Sequence, residues 1–255
     1  MRAIVLAAGK GSRMLSTVPK PLHLVNGVPM TGHVLKSLEE LDLESTVVVV
    51  GHQAPLVSQT LMRMSSDPDR LKFAEQRVQR GTADATKVGL EAFASDDGSG
   101  VESDVLVLPG DMPLLTSDTL IELQDHHVKS GAAATLLTAE FKDPAGYGRI
   151  VRDEQGGIER VVEHIDAAPH ELTICEINTS IYCFNWRLLD GALRDVESSN
   201  SQNEYYLTDV VELLRASGHL VTATIAGDPD EMRGVNDQKQ LVECETLLRA
   251  RANVR

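Results

Sequence analysis

Cysteine is scarce in this sequence, and long apolar runs are absent. The 255 residues include three cysteines with no Cys-x-x-Cys spacing, so the composition excludes both a disulfide framework and the common zinc patterns. No stretch reaches the roughly 18 consecutive apolar residues of a membrane-spanning helix. The first apolar run stops at Gly9, too early for a signal peptide. We therefore expect a cytoplasmic protein with no membrane partner.

Acidic residues are missing from the start of the chain, although they dominate the rest. The first 38 residues carry five basic and no acidic side chains, which leaves −19 for the remainder of a net charge of −14. Non-specific nucleic-acid binding requires a basic footprint, and the overall balance excludes it. Charges are screened over about 8 Å at physiological salt, so an anionic ligand near the N-terminus is influenced mainly by the local cations. A basic surface without a ligand is the alternative.

Strands and helices alternate over about the first 140 residues. Short apolar or β-branched runs such as Ala3–Ala7 and Thr46–Val50 are typical of buried parallel strands. Segments with helical spacing separate these runs, such as Met30–Leu41 and Ser117–Ser130, the second with a serine cap, and the polar stretch Ser95–Ser103 indicates a loop. The alternation predicts an α/β protein with a Rossmann-like, doubly wound, mostly parallel sheet.

The pattern changes after residue 140. Three strand-like segments follow with no helical segment between them, namely Gly148–Arg152, Ile158–Val162 and Glu176–Phe184. The residues Gln155-Gly156-Gly157 have the composition of a hairpin turn. We therefore expect one domain with three parts, which are a core at 1–139, a smaller mixed α+β lobe at 140–225 and a closing segment with a C-terminal helix at 226–255.

The strongest local signal is the glycine-rich segment after the first strand. It reads Leu6-Ala7-Ala8-Gly9-Lys10-Gly11-Ser12-Arg13-Met14 and is followed by Pro19-Lys20. A Walker loop would need glycine where Ile4 stands, and the dinucleotide fingerprint would need glycine at Met14, so both patterns fail. The remaining interpretation is a loop whose backbone N–H groups beside Gly9 and Gly11 wrap a polyphosphate while the basic side chains neutralise its charge. A flexible β–α loop is the alternative.

This segment resembles the signature of the sugar-phosphate nucleotidylyltransferases, in which Leu-x-x-Gly-x-Gly-Ser/Thr-Arg-Met precedes Pro-Lys. Further motifs occur in the same order as in the uridylyltransferase half of the bifunctional bacterial GlmU enzymes, and the resemblance extends from Met1 to about Arg249. These motifs are Gln76 with Gly81-Thr82, Gly110-Asp111, Gly146-Tyr147-Gly148-Arg149, Val162-Glu163-His164, Glu176-Ile177-Asn178-Thr179, Asn203 to Asp209, and Gly234-Val235-Asn236.

The resemblance implies a nucleotide-diphospho-sugar transferase fold and a specific reaction. A uridylyl group would pass from UTP to N-acetylglucosamine 1-phosphate, giving UDP-N-acetylglucosamine and pyrophosphate, with Mg²⁺ as cofactor and in-line attack of the sugar phosphate on the α-phosphate. The three parts of the chain would then be a nucleotide-binding core, a sugar-binding lobe and a metal-ligand segment.

The resemblance also assigns roles to individual residues. Arg13 and Lys20 would stabilise charge in the transition state. Asp111 and Asn236 would hold Mg²⁺, which takes few hard oxygen ligands from a protein; an Asp after a strand is also a common turn residue. Gln76 would offer a donor and an acceptor to uracil. The implied nucleotide-binding residues are Leu6, Ala7, Ala8, Gly9, Gly11, Ser12, Gln76, Gly81, Thr82 and Gly110. The implied sugar-binding residues are Gly148, Glu163, Asn178, Glu204 and Tyr206.

Two departures and one absence qualify the resemblance. Ser12 stands where the family often has threonine, and Pro109 stands where a larger side chain is common, which affects contacts to the ribose. The GlmU enzymes continue into a β-helix that transfers acetyl groups, and no such repeats occur in these 255 residues. We therefore expect no acetyltransferase activity. Two alternatives stay open: a nucleotidylyltransferase for another sugar or alcohol phosphate using UTP, dTTP or CTP, and a non-catalytic nucleotide-sugar-binding protein.

Overall fold

The regular elements alternate along the first half of the chain and become strand-rich after residue 140, as the sequence predicts. The computed structural model describes residues 1–94 and 103–254, so the predicted loop Ser95–Ser103 lies outside the described residues except for Ser103. The strands are β1 (Arg2–Ala7), β2 (Leu24–Val25), β3 (Val28–Pro29), β4 (Thr46–Val50), β5 (Leu71–Glu75), β6 (Val105–Pro109), β7 (Ala134–Glu140), β8 (Gly148–Arg152), β9 (Ile158–Val162), β10 (Glu176–Phe184) and β11 (Val221–Ile225). The α-helices are α1 (Met30–Ser37), α2 (Ala54–Met64), α3 (Thr82–Ala94), α4 (Ser117–Ser130), α5 (Trp186–Leu193), α6 (Asp209–Ala216) and α7 (Gln238–Val254).

One large sheet organises the protein. Seven of its strands lie side by side in the order β11-β7-β10-β6-β1-β4-β5. Neighbours in this order pair in parallel, except that β10 runs antiparallel to both β6 and β7. The hairpin β8–β9 pairs with β10 and extends the sheet off this path. The expectation of a Rossmann-like, mostly parallel sheet is confirmed.

The reversed direction of β10 determines where the site forms. An antiparallel strand begins at the edge where its parallel neighbours end, and Glu176 at the start of β10 pairs with Glu140 at the end of β7. Asn178 pairs with Gly148, so the hairpin β8–β9 is attached at that same edge. Residues from the second half of the chain therefore lie at the carboxyl ends of the parallel strands, where open α/β sheets bind ligands.

The segment 140–225 is built into this sheet. Its strands β10 and β11 are members of the main path, while β8 and β9 lie off it. A boundary between core and lobe at residue 140 stays a prediction, because the sheet is continuous across it.

The core lies on both faces of the sheet. Side chains alternate across a strand, so Ile4 packs into one apolar cluster while its neighbours Ala3 and Val5 pack into the other. A third, smaller cluster joins the N-terminal loop to α7 and consists of Met14, Val25, Met30, Leu114, Val235 and Cys244. None of the described helices is long and apolar enough to cross a membrane.

Two helix boundaries differ from the sequence expectation. A serine cap at Ser117 was expected for α4, but the cap is Thr116, whose hydroxyl accepts a hydrogen bond from the Thr119 N–H at 3.4 Å. The helix α1 ends at Ser37, although apolar spacing continues to Leu41. Hydrophobic periodicity persists through the turns after Ser37 because those side chains also pack into the core.

Candidate active site

The glycine-rich loop leaves β1 at the carboxyl edge of the sheet. Gly11 has a left-handed backbone conformation with φ of +61°, and a Cβ atom there would lie 2.5 Å from Cβ of Lys20. Only glycine therefore lets the stem of Lys20 pass so close to the loop. The buried side chain of Met14 anchors the loop in the third apolar cluster, while the preceding Arg13 is exposed.

Three side chains from distant parts of the chain meet at the carboxyl end of β6. The ammonium of Lys20 donates to Oδ2 of Asp111 at 2.6 Å and to Oδ1 of Asn236 at 2.7 Å. The Val235 N–H also donates to the backbone carbonyl of Asp111 at 2.9 Å, which holds the segment before α7 against the turn after β6. The structure thus brings together one predicted cation and both predicted metal ligands.

The two oxygens at this point fit a magnesium ion. Both are hard oxygen donors, and both already face one cation, the Lys20 ammonium. Across residues 1–94 and 103–254 there is no group of three or more His, Cys, Asp or Glu side chains that could hold a metal. A sparse pair of protein oxygens, completed by phosphate and water, is the kind of site that Mg²⁺ occupies.

A cleft of about 230 Å³ separates this cluster from the strands of the second half of the chain. Its walls combine predicted phosphate, metal and sugar residues, among them Arg13, Asp111, Gly148, Glu163, Asn178 and Asn236. The cleft therefore joins groups that lie more than 200 residues apart in the sequence.

Glu163 and Asn178 lie on either side of Gly148. A Cβ atom at Gly148 would lie 3.5 Å from Oε2 of Glu163 and 3.4 Å from Cβ of Asn178, so glycine keeps the space between them open. Asn178 is held by the Ser180 N–H, which donates to its Oδ1 at 3.2 Å. Ser180 has φ of +61°, and the β7–β10 register shifts between Asn178 and Ile181. This bulge sets the direction of the Asn178 side chain.

Burial raises the pKa of Glu163 above its usual range. The Thr208 hydroxyl, 3.3 Å from its Oε1, opposes the rise, and the negative charges of Asp209 and Asp166 add to it. A carboxylate in this position favours ligands that donate hydrogen bonds, because donors replace the water it has lost.

The predicted base-binding residues form a second cluster beyond the end of β5. Gln76 is 3% exposed, and its Nε2 donates to Oδ2 of Asp84 at 2.7 Å and to the Gly81 carbonyl at 3.2 Å. The sequence analysis assigned Gln76 a donor and an acceptor role toward the base. That expectation is wrong for the donor, because both N–H groups are engaged within the protein and only Oε1 is left for a ligand.

Position 81 requires glycine because the Tyr205 backbone lies against it. Its φ is +116°, and a Cβ atom there would lie 2.4 Å from the carbonyl oxygen of Tyr205. The neighbouring Thr82 accepts a hydrogen bond from the Leu207 N–H through its hydroxyl at 2.9 Å. The segment Tyr205–Leu207 therefore contacts Gly81 and Thr82 and stabilises the cluster of predicted base-binding residues.

Glu204 and Tyr206 are not among the residues that line the cleft. The Tyr206 hydroxyl donates to Oε1 of Gln202 at 2.8 Å, and the Glu204 backbone is bound by the Asn200 side chain. Burial, and then the negative charges of Asp166, Glu163 and Glu204, raise the pKa of Tyr206, so this side chain lies near Glu163. Sugar binding by Glu204 and Tyr206 stays a prediction.

Contacts within the protein hold several predicted nucleotide-binding residues in place. The Gly110 N–H donates to the Leu6 carbonyl at 2.9 Å, and the Thr31 hydroxyl donates to the Gly110 carbonyl at 2.7 Å. A Cβ atom at Gly51 would lie 2.4 Å from the Ala8 carbonyl, so the end of β4 packs tightly under the start of the loop.

The sequence analysis assigned no role to Asp84, Tyr147 or Gln240. Tyr147 lines the cleft, and its ring meets Phe141 edge-on at 5.0 Å. Gln240 accepts from the Asn236 N–H at 2.7 Å, and its own N–H donates to Asp237 at 2.8 Å. The spacing Asp237-x-x-Gln240 before an apolar helix is a capping-box signal that was available in the sequence.

The family and relatives of the chain agree with this geometry. The family model described as nucleotidyl transferase matches residues 2–228. The chain is 45% identical over 251 residues to the bifunctional protein GlmU of Lactococcus lactis subsp. lactis, and also to that of Bacillus cytotoxicus. Each alignment covers 98% of this chain and 52% of the relative, so the chain spans about half the length of the curated relatives it matches.

A solved structure supports the fold independently. UDP-glucose pyrophosphorylase complexed with UDP-glucose superposes with a TM-score of 0.77 at 15% identity, covering 98% of both chains. The family match extends through every strand from β1 to β11. The chain therefore belongs to the nucleotidyl transferase family.

Proposed function

We propose that the chain catalyses Mg²⁺-dependent uridylyl transfer from UTP to N-acetylglucosamine 1-phosphate, releasing pyrophosphate and forming UDP-N-acetylglucosamine. The observation that carries this proposal is the composition of the cleft. The ammonium of Lys20 and the two oxygens of Asp111 and Asn236 that accept from it lie across a space of about 230 Å³ from Glu163 and Asn178.

The phosphate side of the cleft would act by charge and position. A phosphate oxygen of the sugar phosphate attacks the α-phosphorus of UTP, and the bond from that phosphorus to the bridging oxygen breaks as pyrophosphate leaves. Such chemistry requires alignment and charge stabilisation more than covalent participation by the protein. Arg13 and Lys20 would supply that stabilisation. Mg²⁺ held by Asp111 and Asn236 would neutralise phosphate oxygens when bound.

The opposite wall would select the sugar. Glu163 accepts hydrogen bonds from hydroxyl groups, and the Asn178 side chain donates or accepts with the acetamido group or a hydroxyl. Gly148 would leave room for the sugar ring between them. The Tyr206 hydroxyl donates to Gln202 and can still accept a hydrogen bond from a sugar hydroxyl, so Tyr206 and Glu204 stay in the proposed sugar-binding set.

The relatives support the choice of substrates. Two proteins named bifunctional GlmU align with almost the whole chain at 45% identity, and the structure superposed above holds a UDP-sugar. The cytoplasmic location expected from the sequence stays a prediction.

Product formation by the purified chain tests the proposal. UTP, dTTP, CTP and ATP are each incubated with N-acetylglucosamine, glucosamine, glucose and galactose 1-phosphates, with Mg²⁺ or with EDTA, and pyrophosphate and nucleotide sugar are quantified. We expect turnover with UTP and N-acetylglucosamine 1-phosphate that EDTA abolishes. Preference for another pair would favour the related-transferase alternative. Binding of UDP-sugars without turnover would favour the non-catalytic alternative.

The metal assignment has its own test. Asp111→Ala removes one of the two oxygens that face the Lys20 ammonium and should reduce Mg²⁺-dependent turnover by at least about 10²-fold, the effect of losing one preorganised electrostatic group. Binding of Mn²⁺, followed by electron paramagnetic resonance, should weaken in parallel while thermal unfolding stays cooperative. Asp190→Ala on α5, where the side chain pairs with Arg194 on the surface, is the control. Near-normal turnover would remove Asp111 from the metal site.

A further inference from the structure

The side-chain amide of Gln76 has one satisfactory orientation. Its two polar partners are the Asp84 carboxylate, 2.7 Å away, and the Gly81 backbone carbonyl, 3.2 Å away. Carboxylates and carbonyls accept hydrogen bonds and do not donate them. The NH₂ end of the amide must therefore face both partners, and the oxygen Oε1 must point away from them.

Burial makes this orientation hard to reverse. The two ends of a carboxamide have nearly the same shape, so partners rather than packing determine which end points where. Gln76 is 3% exposed, which leaves little water to compensate a reversed amide. Its backbone is also fixed, because its N–H donates to the Val50 carbonyl and its carbonyl accepts from the Gln79 side chain.

Asp84 is the stronger of the two partners. Its contact is shorter and charge-assisted, and such hydrogen bonds are stronger than neutral ones. Asp84 lies in the first turn of α3, three residues after the constrained Gly81, so its distance from Gln76 is set by the backbone. Asp84 is not among the residues that line the cleft between Asp111 and Glu163.

We infer that Asp84 is a positioning residue that determines which nucleobases the site accepts. By holding the Gln76 NH₂ group, it presents only an acceptor, Oε1, to the base. Uracil and thymine carry an N–H donor at ring position 3, which meets this acceptor. Cytosine carries a lone pair at that position, and two acceptors then face each other without a hydrogen. The inference rests on the proposed function, because it takes Gln76 as the residue that contacts the base.

Substitution of Asp84 by asparagine tests this directly. Asparagine has the same shape but offers both a donor and an acceptor, so in Asp84→Asn only the weaker Gly81 carbonyl still favours the original orientation of the Gln76 amide. We expect the ratio of kcat/KM for UTP to that for CTP to fall at least about tenfold, a change typical of losing one polar discriminating contact. The rate with CTP should rise in absolute terms. A purely structural role would lower both rates and leave their ratio unchanged.

Two further variants make the result interpretable. Asp84→Glu keeps an acceptor-only partner and should retain the preference for UTP even if overall activity drops. Asp125→Asn changes a carboxylate on α4 that pairs with Lys129 on the surface, 3.1 Å away, and should behave as the wild type. Thermal unfolding of each variant verifies that it is folded at the assay temperature.

Several outcomes would overturn the inference. They are a wild-type chain that uses CTP as readily as UTP, an unchanged ratio in Asp84→Asn, and loss of preference in Asp84→Glu while the variant stays folded. Failure of the proposed function is distinguishable, because it would show as no turnover by the wild type with any sugar phosphate. The same variants are then compared by calorimetric binding of UTP and CTP, where the inference requires the same change in the affinity ratio.

Discussion

Arg13 is an exposed cation at the wall of the cleft, whereas Lys20 is held by Asp111 and Asn236. A guanidinium that is free to follow the phosphate contributes most when charge builds up in the transition state. Arg13→Ala should therefore lower kcat by about 10²–10³-fold and change KM for UTP far less. Steady-state kinetics measure both. Arg63→Ala, an exposed change on α2, is the control, and an effect confined to KM would reassign Arg13 to substrate binding.

Glu163 lies at a buried position where its ionised form is unfavourable. Its folded pKa lies above the ordinary value because burial disfavours the ionised form. The contribution of protonated Glu163 to the free energy of unfolding is therefore fully present below the unfolded pKa and is lost as pH rises through the folded pKa. The side chain of Glu163→Gln cannot ionise, so the melting temperature of this variant should rise relative to that of the wild type as pH increases above the ordinary glutamate pKa of about 4.5.

Glu163→Gln should also weaken binding of the sugar phosphate. Glutamine is a weaker acceptor than a carboxylate, so KM for the sugar phosphate should rise about tenfold, the effect of losing one charge-assisted hydrogen bond. Melting curves across pH and KM at one pH check the two halves separately. A stability difference that does not change with pH would show that burial of Glu163 has no cost.

Glycine is required more strictly at Gly81, before α3, than at Gly131, after α4. Gly81 has both a positive φ and a facing carbonyl 2.4 Å from the position of a Cβ atom, whereas Gly131 has φ of +60° and no atom within 4 Å. Gly131→Ala should cost about 1 kcal/mol of unfolding free energy through its backbone alone. Gly81→Ala should cost at least about 2 kcal/mol more, because Tyr205 must move. Urea denaturation measures both, and equal losses would contradict the importance of the Tyr205 contact.

Local patterns predict individual elements well because each element obeys its own periodicity. The run Thr46–Val50 forms β4 as expected, since β-branched residues fit a strand that is buried on both faces. The direction and neighbours of β10 have no such signal. Its sequence Glu176–Phe184 reads as a strand, but its insertion between β6 and β7 follows from long-range pairing.

The candidate site also combines features that local sequence patterns predict with features that they do not. Glycines with special conformations, such as Gly11, and a carboxylate after a strand, such as Asp111, are visible in the sequence because they lie in contiguous motifs. The bridge from Lys20 to Asp111 and Asn236 spans 91 and 216 residues, and no local pattern encodes it. The Gln76–Asp84 contact was within reach of the sequence, but only its geometry shows that both amide hydrogens are used.

The glycine-rich loop after β1 packs against the last helix that the structure describes. Met14 of that loop and Cys244 of α7 belong to the same apolar cluster, and the Gln238 side chain donates to the Met14 carbonyl at 3.0 Å. The helix α7 lies beyond the region that the family model matches. The position of Arg13 beside the cleft therefore depends on a helix more than 200 residues away in sequence.

Paired substitutions on α7 separate this dependence from a general effect of charge. Cys244 is 1% exposed in the cluster, and Val242 on the same helix is 59% exposed. Cys244→Asp buries an unpaired carboxylate and should cost at least about 3 kcal/mol of unfolding free energy, whereas Val242→Asp should behave nearly as the wild type. At a temperature where both variants are folded, Cys244→Asp should also raise KM for UTP, because a displaced Met14 loosens the glycine-rich loop for which phosphate binding is proposed. Unchanged KM in a destabilised Cys244→Asp would show that α7 supports the fold without positioning the loop.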